Sequence, residues 1–321
     1  MEFSGLVSYL IFFLSMAGIY GILALGLNMQ WGYTGQINIG VAAFFAVGAY
    51  TAAICTTDPS PNHLGGFDLP FLVGIVLAMI VAGILALFVG LITLKLRSDY
   101  LAIATIGIAE IVRLFLKNED WLTNGVRGIP AIPRPFDNLT GFADSLSFLI
   151  IVLLFVAAVY WILQRLFRSP WARVLRAIRA NEDAVMASGK SVLRFRTESF
   201  VIGSMFMGLG GALYAHFSGF ISPEAFDPMF GTFVVWVMLI AGGSGNNRGA
   251  LLGAVVIWAV WTLTSSLTSM LPGDLTTQAA ALRIFLIGLL LEIILLTRPE
   301  GMLRERPPRP IDDGPDPRSR A

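Results

Sequence analysis

The chain has 321 residues, of which 56% are hydrophobic and 13% charged, with a formal net charge of +1 and a mean hydropathy of +0.75. Soluble domains average about 45–50% apolar and about 25% charged residues, so the composition excludes an ordinary soluble protein, and the balanced charge excludes a nucleic-acid footprint. One cysteine excludes an internal disulfide, and with only two histidines beside it we expect no metal site.

Nine apolar segments follow one another along the chain. A helix of about 20 residues crosses a hydrocarbon core of about 30 Å, and the alternating pattern of a membrane β-barrel is absent. The sequence therefore predicts an all-α, polytopic transmembrane helical bundle of about 8–10 membrane segments, some of them broken at glycines. The first segment has no basic start and is longer than a signal-peptide core, so we expect it to remain as an anchor. The predicted segments are 6–27, 39–55, 70–94, 100–116, 146–167, 200–217, 233–241, 251–267 and 282–297.

Basic residues in short loops mark the cytoplasmic side of a membrane protein. Alternating the predicted spans brings three basic clusters to one face, which predicts an outside N-terminus and a cytoplasmic C-terminus. We expect one transmembrane domain over 1–304, with a cytoplasmic loop at about 169–196, and a disordered tail over 305–321 that is rich in proline and charge. The seventh span is too short to cross alone unless the glycine stretch after it continues it. The clusters comprise Lys95 and Arg97; Arg165, Arg168, Arg173, Arg176, Arg179, Lys190, Arg194 and Arg196; and Arg298, Arg304, Arg306, Arg309, Arg318 and Arg320.

Two glycine-rich breaks interrupt the apolar pattern, at GYTGQINIG and at AGGSGNNRG. Backbone that is released from a helix at membrane depth is tolerated only where it lines a cavity or is buried in protein, and transporters build their pathways from such discontinuous helices. Either the breaks line a translocation pathway, or they are turns whose glycines allow close helix packing. The pathway interpretation assigns Gly32, Thr34, Gly35, Gln36, Asn38, Gly242, Gly243 and Gly245.

One apolar span contains Glu110 and Arg113, three residues apart and therefore on one helix face. A lone charge in the membrane is costly, and a nearby opposite charge lowers that cost. The pair is either a lining of the pathway or gate, or a structural clamp between helices near the membrane edge. Glu292 in the last span has no comparable neighbour, so its partner is expected on another helix or subunit.

A charged island between two apolar spans predicts two short helices. Ser169 and Pro170 favour a helix start, and an apolar stripe then faces away from three arginines and can lie on the membrane surface. Asn181 predicts the N-cap of a second helix, and Gly189 is placed to terminate it. An exposed apolar knob on this helix, rimmed by charge, predicts a docking element; the alternative is a solvated basic loop. The stripe is Trp171, Val174, Leu175 and Ile178, the arginines are Arg173, Arg176 and Arg179, and the second helix includes Glu182, Asp183, Ala184, Val185 and Met186, with Val185 and Met186 exposed.

A phosphate-loop reading of the same region fails. Gly189, Lys190 and Ser191 resemble the end of such a loop, but Ala184 replaces its upstream glycine and no strand precedes it. We therefore expect this chain to bind no ATP and no other cofactor.

Together these segments resemble the permease subunits of branched-chain amino-acid ABC importers, the LivH/LivM family, most like its LivM members. The resemblance covers nearly the whole chain to about Arg304. The family's ATPase-contacting loop has an EAA-x-x-x-G pattern, which Asp183-Ala184-Val185 and Gly189 match in spacing. The resemblance implies that the coupling residues are Asn181, Glu182, Asp183, Ala184, Val185, Met186 and Gly189, with Arg176 and Arg179. The motifs are GYTGQINIGVAAFFAVGAY, SDYLAIATIGIAEIVR, LRAIRANEDAVMASG, ISPEAF, GGSGNNRGALLGA and RPEGML.

The resemblance also implies an assembly. Its members are a homologous LivH-like permease, two LivG/LivF-like ATPase subunits that use ATP, and an extracytoplasmic substrate-binding protein; the implied cargo is a branched-chain amino acid, with urea, short amides and aromatic acids as other family cargoes. An alternative is an ion-coupled secondary transporter with a proton relay through Glu110, Arg113 and Glu292. An intramembrane enzyme finds little support, because one cysteine and two histidines do not assemble a catalytic constellation.

Overall fold

The computed structural model describes residues 2–61, 63–96, 98–136, 141–268 and 276–305. Within these ranges each predicted apolar segment is helical, and the one strand-like pairing is an antiparallel bridge between Ile129 and Ile221. The all-α prediction is confirmed. The helices are α1 (Glu2–Leu27), α2 (Val41–Thr56), α3 (Phe71–Thr93), α4 (Ser98–Asn118), α5 (Asp120–Thr123), α6 (Phe142–Leu166), α7 (Pro170–Ala180), α8 (Glu182–Ala187), α9 (Val192–Ser218), α10 (Val234–Gly242), α11 (Asn247–Thr268) and α12 (Thr276–Thr297), with π-helical turns at Asn28–Gly32 and Met229–Phe233 and 3-10 turns at Gly125–Arg127 and Pro223–Phe226.

Five of the described helices are long and apolar enough to cross a membrane, and three shorter apolar helices accompany them. The seventh predicted span is lengthened, but not as the sequence analysis expected. Gly243 has a φ of 112° and ends α10, whereas the π-helical turn Met229–Phe233 extends the helix at its other end. The five are Gly5–Gly32, Phe71–Thr93, Phe142–Leu166, Val192–Ser218 and Asn247–Ser266; the three are Val41–Thr56, Met229–Gly242 and Ile284–Thr297.

Helix α9 lies at the centre of the bundle and packs against α1, α2 and α3. Glycines make the closest approach possible: a Cβ on Gly48 of α2 would collide with the backbone of Gly208 on α9. Between membrane helices, where lipid removes most of the hydrophobic driving force, such small-residue contacts supply the van der Waals packing. The outer faces of α3, α4 and α6 instead present large apolar side chains such as Leu72, Ile103 and Leu154, as a lipid-facing surface requires.

Some predictions fall outside the described residues. These are the place of Arg97 in the first basic cluster and the disordered tail over 306–321 with its four arginines.

Candidate coupling site

Helix α7 begins at Pro170, but its predicted cap is not formed. The hydroxyl of Ser169 donates to the carbonyl of Leu166 at 2.6 Å and makes no bond to the first turn of α7. The apolar stripe packs on the protein instead of lying on the membrane surface, because Leu175 and Ile178 are buried and the indole of Trp171 donates to Glu198 of α9 at 2.8 Å.

The arginines of α7 do not all face water either. Arg173 is exposed, whereas Arg176 is half-buried and donates to the carbonyl of Phe167 at 2.8 Å, with its guanidinium 5.9 Å from the Tyr33 ring centroid. The side chain of Arg179 is about a third exposed, and its guanidinium donates to the carbonyl of Gly32 in the first glycine-rich break. The spacing of these residues indicates a helix face, but it does not indicate that the face is covered by other parts of the chain.

Helix α8 is capped at both ends as predicted. The side-chain oxygen of Asn181 accepts a hydrogen bond from the Ala184 N–H at 3.0 Å. At the other end Gly189 has a φ of 80°, its N–H donates to Met186 at 2.9 Å, and the next N–H donates to Val185 at 3.4 Å. These two bonds form a Schellman motif, which favours glycine because a Cβ is disfavoured at this φ.

The exposed surface of α8 differs from the prediction. Met186 is half-exposed, but Val185 is buried and packs with Ile178 and Val192. Glu182 turns towards α9, where both of its carboxylate oxygens accept hydrogen bonds from Arg196 at 3.1 and 3.2 Å. The part of α8 left for a partner is therefore Asn181, Asp183, Ala184, Met186 and Ala187.

The first glycine-rich break is held against α9 by buried polar side chains. The Thr34 and Ser199 hydroxyls are 2.8 Å apart, and the Gln36 amide donates to the carbonyl of Arg196 at 2.9 Å. The Asn38 amide donates to Gln30 at 2.8 Å, and Gln30 donates to the carbonyl of Phe200 in α9. Buried polar groups need such partners, so the break is fixed by α9.

The second break meets the first. The side-chain oxygen of Asn28 accepts from the Gly245 N–H at 2.8 Å, and its amide donates to Asn247 at 3.0 Å. A Cβ on Gly32 would collide with Asn28 and lie 2.6 Å from the Gly245 nitrogen. The two sets of predicted pathway residues thus meet at Gly32 and Gly245, all of them are buried except the half-buried Gly35, and their role in translocation stays a prediction.

Arg179 connects this cluster to the island. Its Nη1 donates to the carbonyl of Gly32, and its Nη2 lies 2.6 Å from a carboxylate oxygen of Glu305. The segment before Glu305 pairs with the end of α10, since the Leu303 N–H donates to the Gly242 carbonyl at 2.9 Å. The island, both breaks and the segment after α12 therefore lie at one end of the bundle.

The charge pair of Glu110 and Arg113 lies in the C-terminal half of α4, away from the end of the helix that follows Lys95. Arg113 donates to Glu110 at 2.5 and 3.0 Å and also lies 3.7 Å from Glu224, which accepts from Lys117 at 2.8 Å. The hydrogen bond from Lys117 lowers the pKa of the Glu224 carboxyl. These contacts join α4 to the 3-10 turn Pro223–Phe226, and the role of the pair as a clamp or a pathway lining stays a prediction. Glu292 lies exposed on α12, so its expected partner stays a prediction as well.

Several residues of this site were missed by the sequence analysis. Asn28, Gln30, Ser199, Asn247 and Glu305 belong to the contacts described above. The first four lie within a few residues of a predicted apolar span, where a polar side chain is costly, whereas the sequence around Glu305 carries no such signal. Within the part of the chain that the structure describes, no group of three His, Cys, Asp or Glu residues is placed to hold a metal ion.

Comparison with known proteins gives a consistent result. Residues 9–295 match the family model described as the permease component of branched-chain amino acid transport systems. The high-affinity branched-chain amino acid transport system permease protein LivM of Salmonella typhimurium is 32% identical over 312 residues, covering 90% of this chain and 68% of that protein. The probable LivM of Methanocaldococcus jannaschii is 31% identical, covering 90% and 92%. LivH of Escherichia coli is 26% identical, also covering 90% and 92%. No solved structure matches.

Proposed function

The chain belongs to the family of permease components of branched-chain amino acid transport systems, and we propose that it is the membrane subunit of an ATP-binding-cassette importer. Separate ATPase subunits hydrolyse ATP, and this chain provides part of the path for branched-chain or related small amino acids. The observation that carries the proposal is that two sets of contacts reach the first glycine-rich break. One runs from α8 through Arg196 to Gln36, and the other runs from α7 through Arg179 to Gly32.

The exposed side of α8 binds an ATPase subunit in this proposal. Because Val185 is buried against Ile178 and Glu182 is bonded to Arg196, α8 cannot shift without moving the start of α9. Displacement of α9 acts on Gln36 through the carbonyl of Arg196, and displacement of α7 acts on Gly32 through Arg179. The motion produced by ATP hydrolysis thus reaches the first glycine-rich break by two routes.

The joined breaks form the inner gate of the pathway. Thr34, Gln36 and Asn38 are almost fully buried, which corresponds to a closed gate. Opening requires the hydrogen bonds between the first break and α9 to be exchanged for bonds to water or cargo, because buried polar groups left without partners are costly. Polar side chains suit these positions because they can bond to α9 when the gate is closed and to water or cargo when it is open.

The orientation and the assembly follow from the same arrangement. Lys95, the island and the segment up to Glu305 lie at one end of the bundle, so the described residues of the three predicted basic clusters share a face, which we assign to the cytoplasm. Escherichia coli has both a LivM and a LivH permease among the relatives. We propose that this chain pairs with a LivH-like permease, receives cargo from an extracytoplasmic binding protein, and contains no nucleotide site of its own.

Uptake of radiolabelled leucine into sealed vesicles tests the function. The vesicles should contain this chain, its partner permease, both ATPase subunits and the binding protein. We expect uptake to require ATP and to persist when an ionophore collapses the proton gradient. Uptake that requires the gradient and not ATP would contradict the proposal and favour the relay through Glu110, Arg113 and Glu292.

A further inference from the structure

A polar cavity of about 640 Å³ lies beside α8, between the turn that follows α3 and the start of α9. Its charged lining consists of Lys95, Lys190, Arg196 and Glu182 among the described residues, and Ser191 and apolar side chains including Leu96 and Met186 complete the wall. Three cations thus face one carboxylate, and that carboxylate is already bonded to Arg196. The remaining charge of the cavity favours an anion.

The backbone at this cavity favours an anion as well. Helix α9 runs for 27 residues from Val192, and Ser191 before it gives no side-chain cap to the first turn. The unpaired N–H groups and the dipole at the start of a long helix attract negative charge. Ser191, Val192 and Leu193 all line the cavity, so the helix start opens onto it.

Arg196 provides an independent indication of a ligand. Its side chain is only 9% exposed and lines the cavity, yet its Nε has no hydrogen-bond partner while Nη1 is bonded to Glu182. A buried donor without a partner is costly, and a guanidinium suits the bidentate geometry of a phosphate.

We propose that this cavity binds the phosphate of an anionic phospholipid from the cytoplasmic leaflet. A lipid is favoured over a free anion because Leu96 lines the cavity and is 39% exposed, and Leu91 and Ile92, in the last turn of α3 just before the lining residues, are 54% and 60% exposed; these side chains provide an apolar surface for acyl chains. The bound phosphate pairs with Lys95, Lys190 and the guanidinium of Arg196, and it holds the Glu182 end of α8 against α9. The leaflet follows from the proposed orientation, but the binding itself does not depend on the transport function.

Native mass spectrometry of the detergent-purified full chain with its partner permease, titrated with phosphatidylglycerol, tests this proposal. The double variant Lys95→Gln with Lys190→Gln removes two exposed cations from the cavity, and Arg168→Gln with Arg173→Gln is the matched control on the same side of the protein. We expect the first variant to weaken lipid binding by about tenfold or more and the control to leave it unchanged. Phosphatidylcholine should not compete, and unchanged size-exclusion elution confirms folding.

Four results would overturn the proposal. The first is equal phosphatidylglycerol affinity for wild type and the cavity variant, and the second is an equal loss in the control. Displacement of the lipid by millimolar inorganic phosphate would assign the cavity to a free anion. Displacement by the ATPase subunits would assign it to a subunit interface. Each readout is independent of leucine uptake, so a failure here leaves the proposed transport function standing.

Discussion

Arg179 and Glu305 are 126 residues apart in sequence, yet the Arg179 guanidinium lies 2.6 Å from the Glu305 carboxylate. The same guanidinium donates to the carbonyl of Gly32. One side chain therefore joins α7, the first glycine-rich break and the segment after α12. Because about a third of each side chain is exposed to solvent, the ion pair contributes little to the free energy of folding, and its main effect is to hold these three segments in place.

The first prediction concerns this bridge. Arg179→Lys keeps the charge but cannot form the two-pronged contact of a guanidinium, so we expect leucine uptake to fall by about tenfold, equivalent to about 1.4 kcal/mol. Membrane insertion and ATP binding by the partner subunits should be unchanged. Uptake equal to that of wild type would show that the bridge does not transmit motion. Arg168→Lys on the same face is the control.

The second prediction concerns the exposed side of α8. The double variant Asp183→Lys with Met186→Glu should abolish the ATP hydrolysis stimulated by the permease while leaving membrane insertion intact. The reason is that both side chains lie on the part of α8 left for a partner. Co-purification of the ATPase subunits at wild-type yield would contradict the docking role.

The third prediction separates backbone geometry from contact at Gly189. Nothing lies within 4 Å of a Cβ built there, but φ is 80°. We expect Gly189→Asn to retain most of the stimulated ATP hydrolysis, because asparagine tolerates a left-handed conformation, and Gly189→Val to lose it. Equal activity of the two variants would show that the turn is not required. Gly189→Arg, which adds bulk and charge as well as strain, should abolish stimulation.

The fourth prediction concerns the contact between the two breaks. Gly32→Ala places a methyl group against Asn28 and the Gly245 nitrogen, so it should lower both uptake and the midpoint of thermal unfolding. Gly107→Ala is the matched control, since no atom lies within 4 Å of its Cβ and alanine favours a helix. A thermal midpoint for Gly32→Ala that equals the control's would contradict the packing.

The fifth prediction concerns pH at the outer cluster. The hydrogen bond from Lys117 lowers the pKa of Glu224, so this contribution to stability is complete above the unfolded pKa of about 4.3 and is lost as pH falls through the lower folded value. The difference in thermal midpoint between wild type and Glu224→Gln should therefore be constant above about pH 6 and shrink below about pH 4. Lys117→Met should raise the pKa of Glu224, measured by carbon-13 NMR. A pKa unchanged by that substitution would contradict the pairing.

The sequence by itself determined the all-α membrane fold, the helical segments and the caps of α8. Each of these is local: about 20 apolar residues must form a helix in lipid, and Asn181 and Gly189 act on backbone groups within a few residues of themselves. The same reasoning identified Glu110 and Arg113 as a pair, because residues three apart share a helix face.

The tertiary structure alone decided which surfaces are covered. Val185 was predicted to be exposed, but it is buried by Ile178 and Val192, and the stripe of α7 packs against protein where a membrane surface was expected. The contacts of Asn28 with Gly245 and of Arg179 with Glu305 join residues more than 100 positions apart. Helical periodicity defines which residues share a face, but the partner of that face depends on how the whole chain packs.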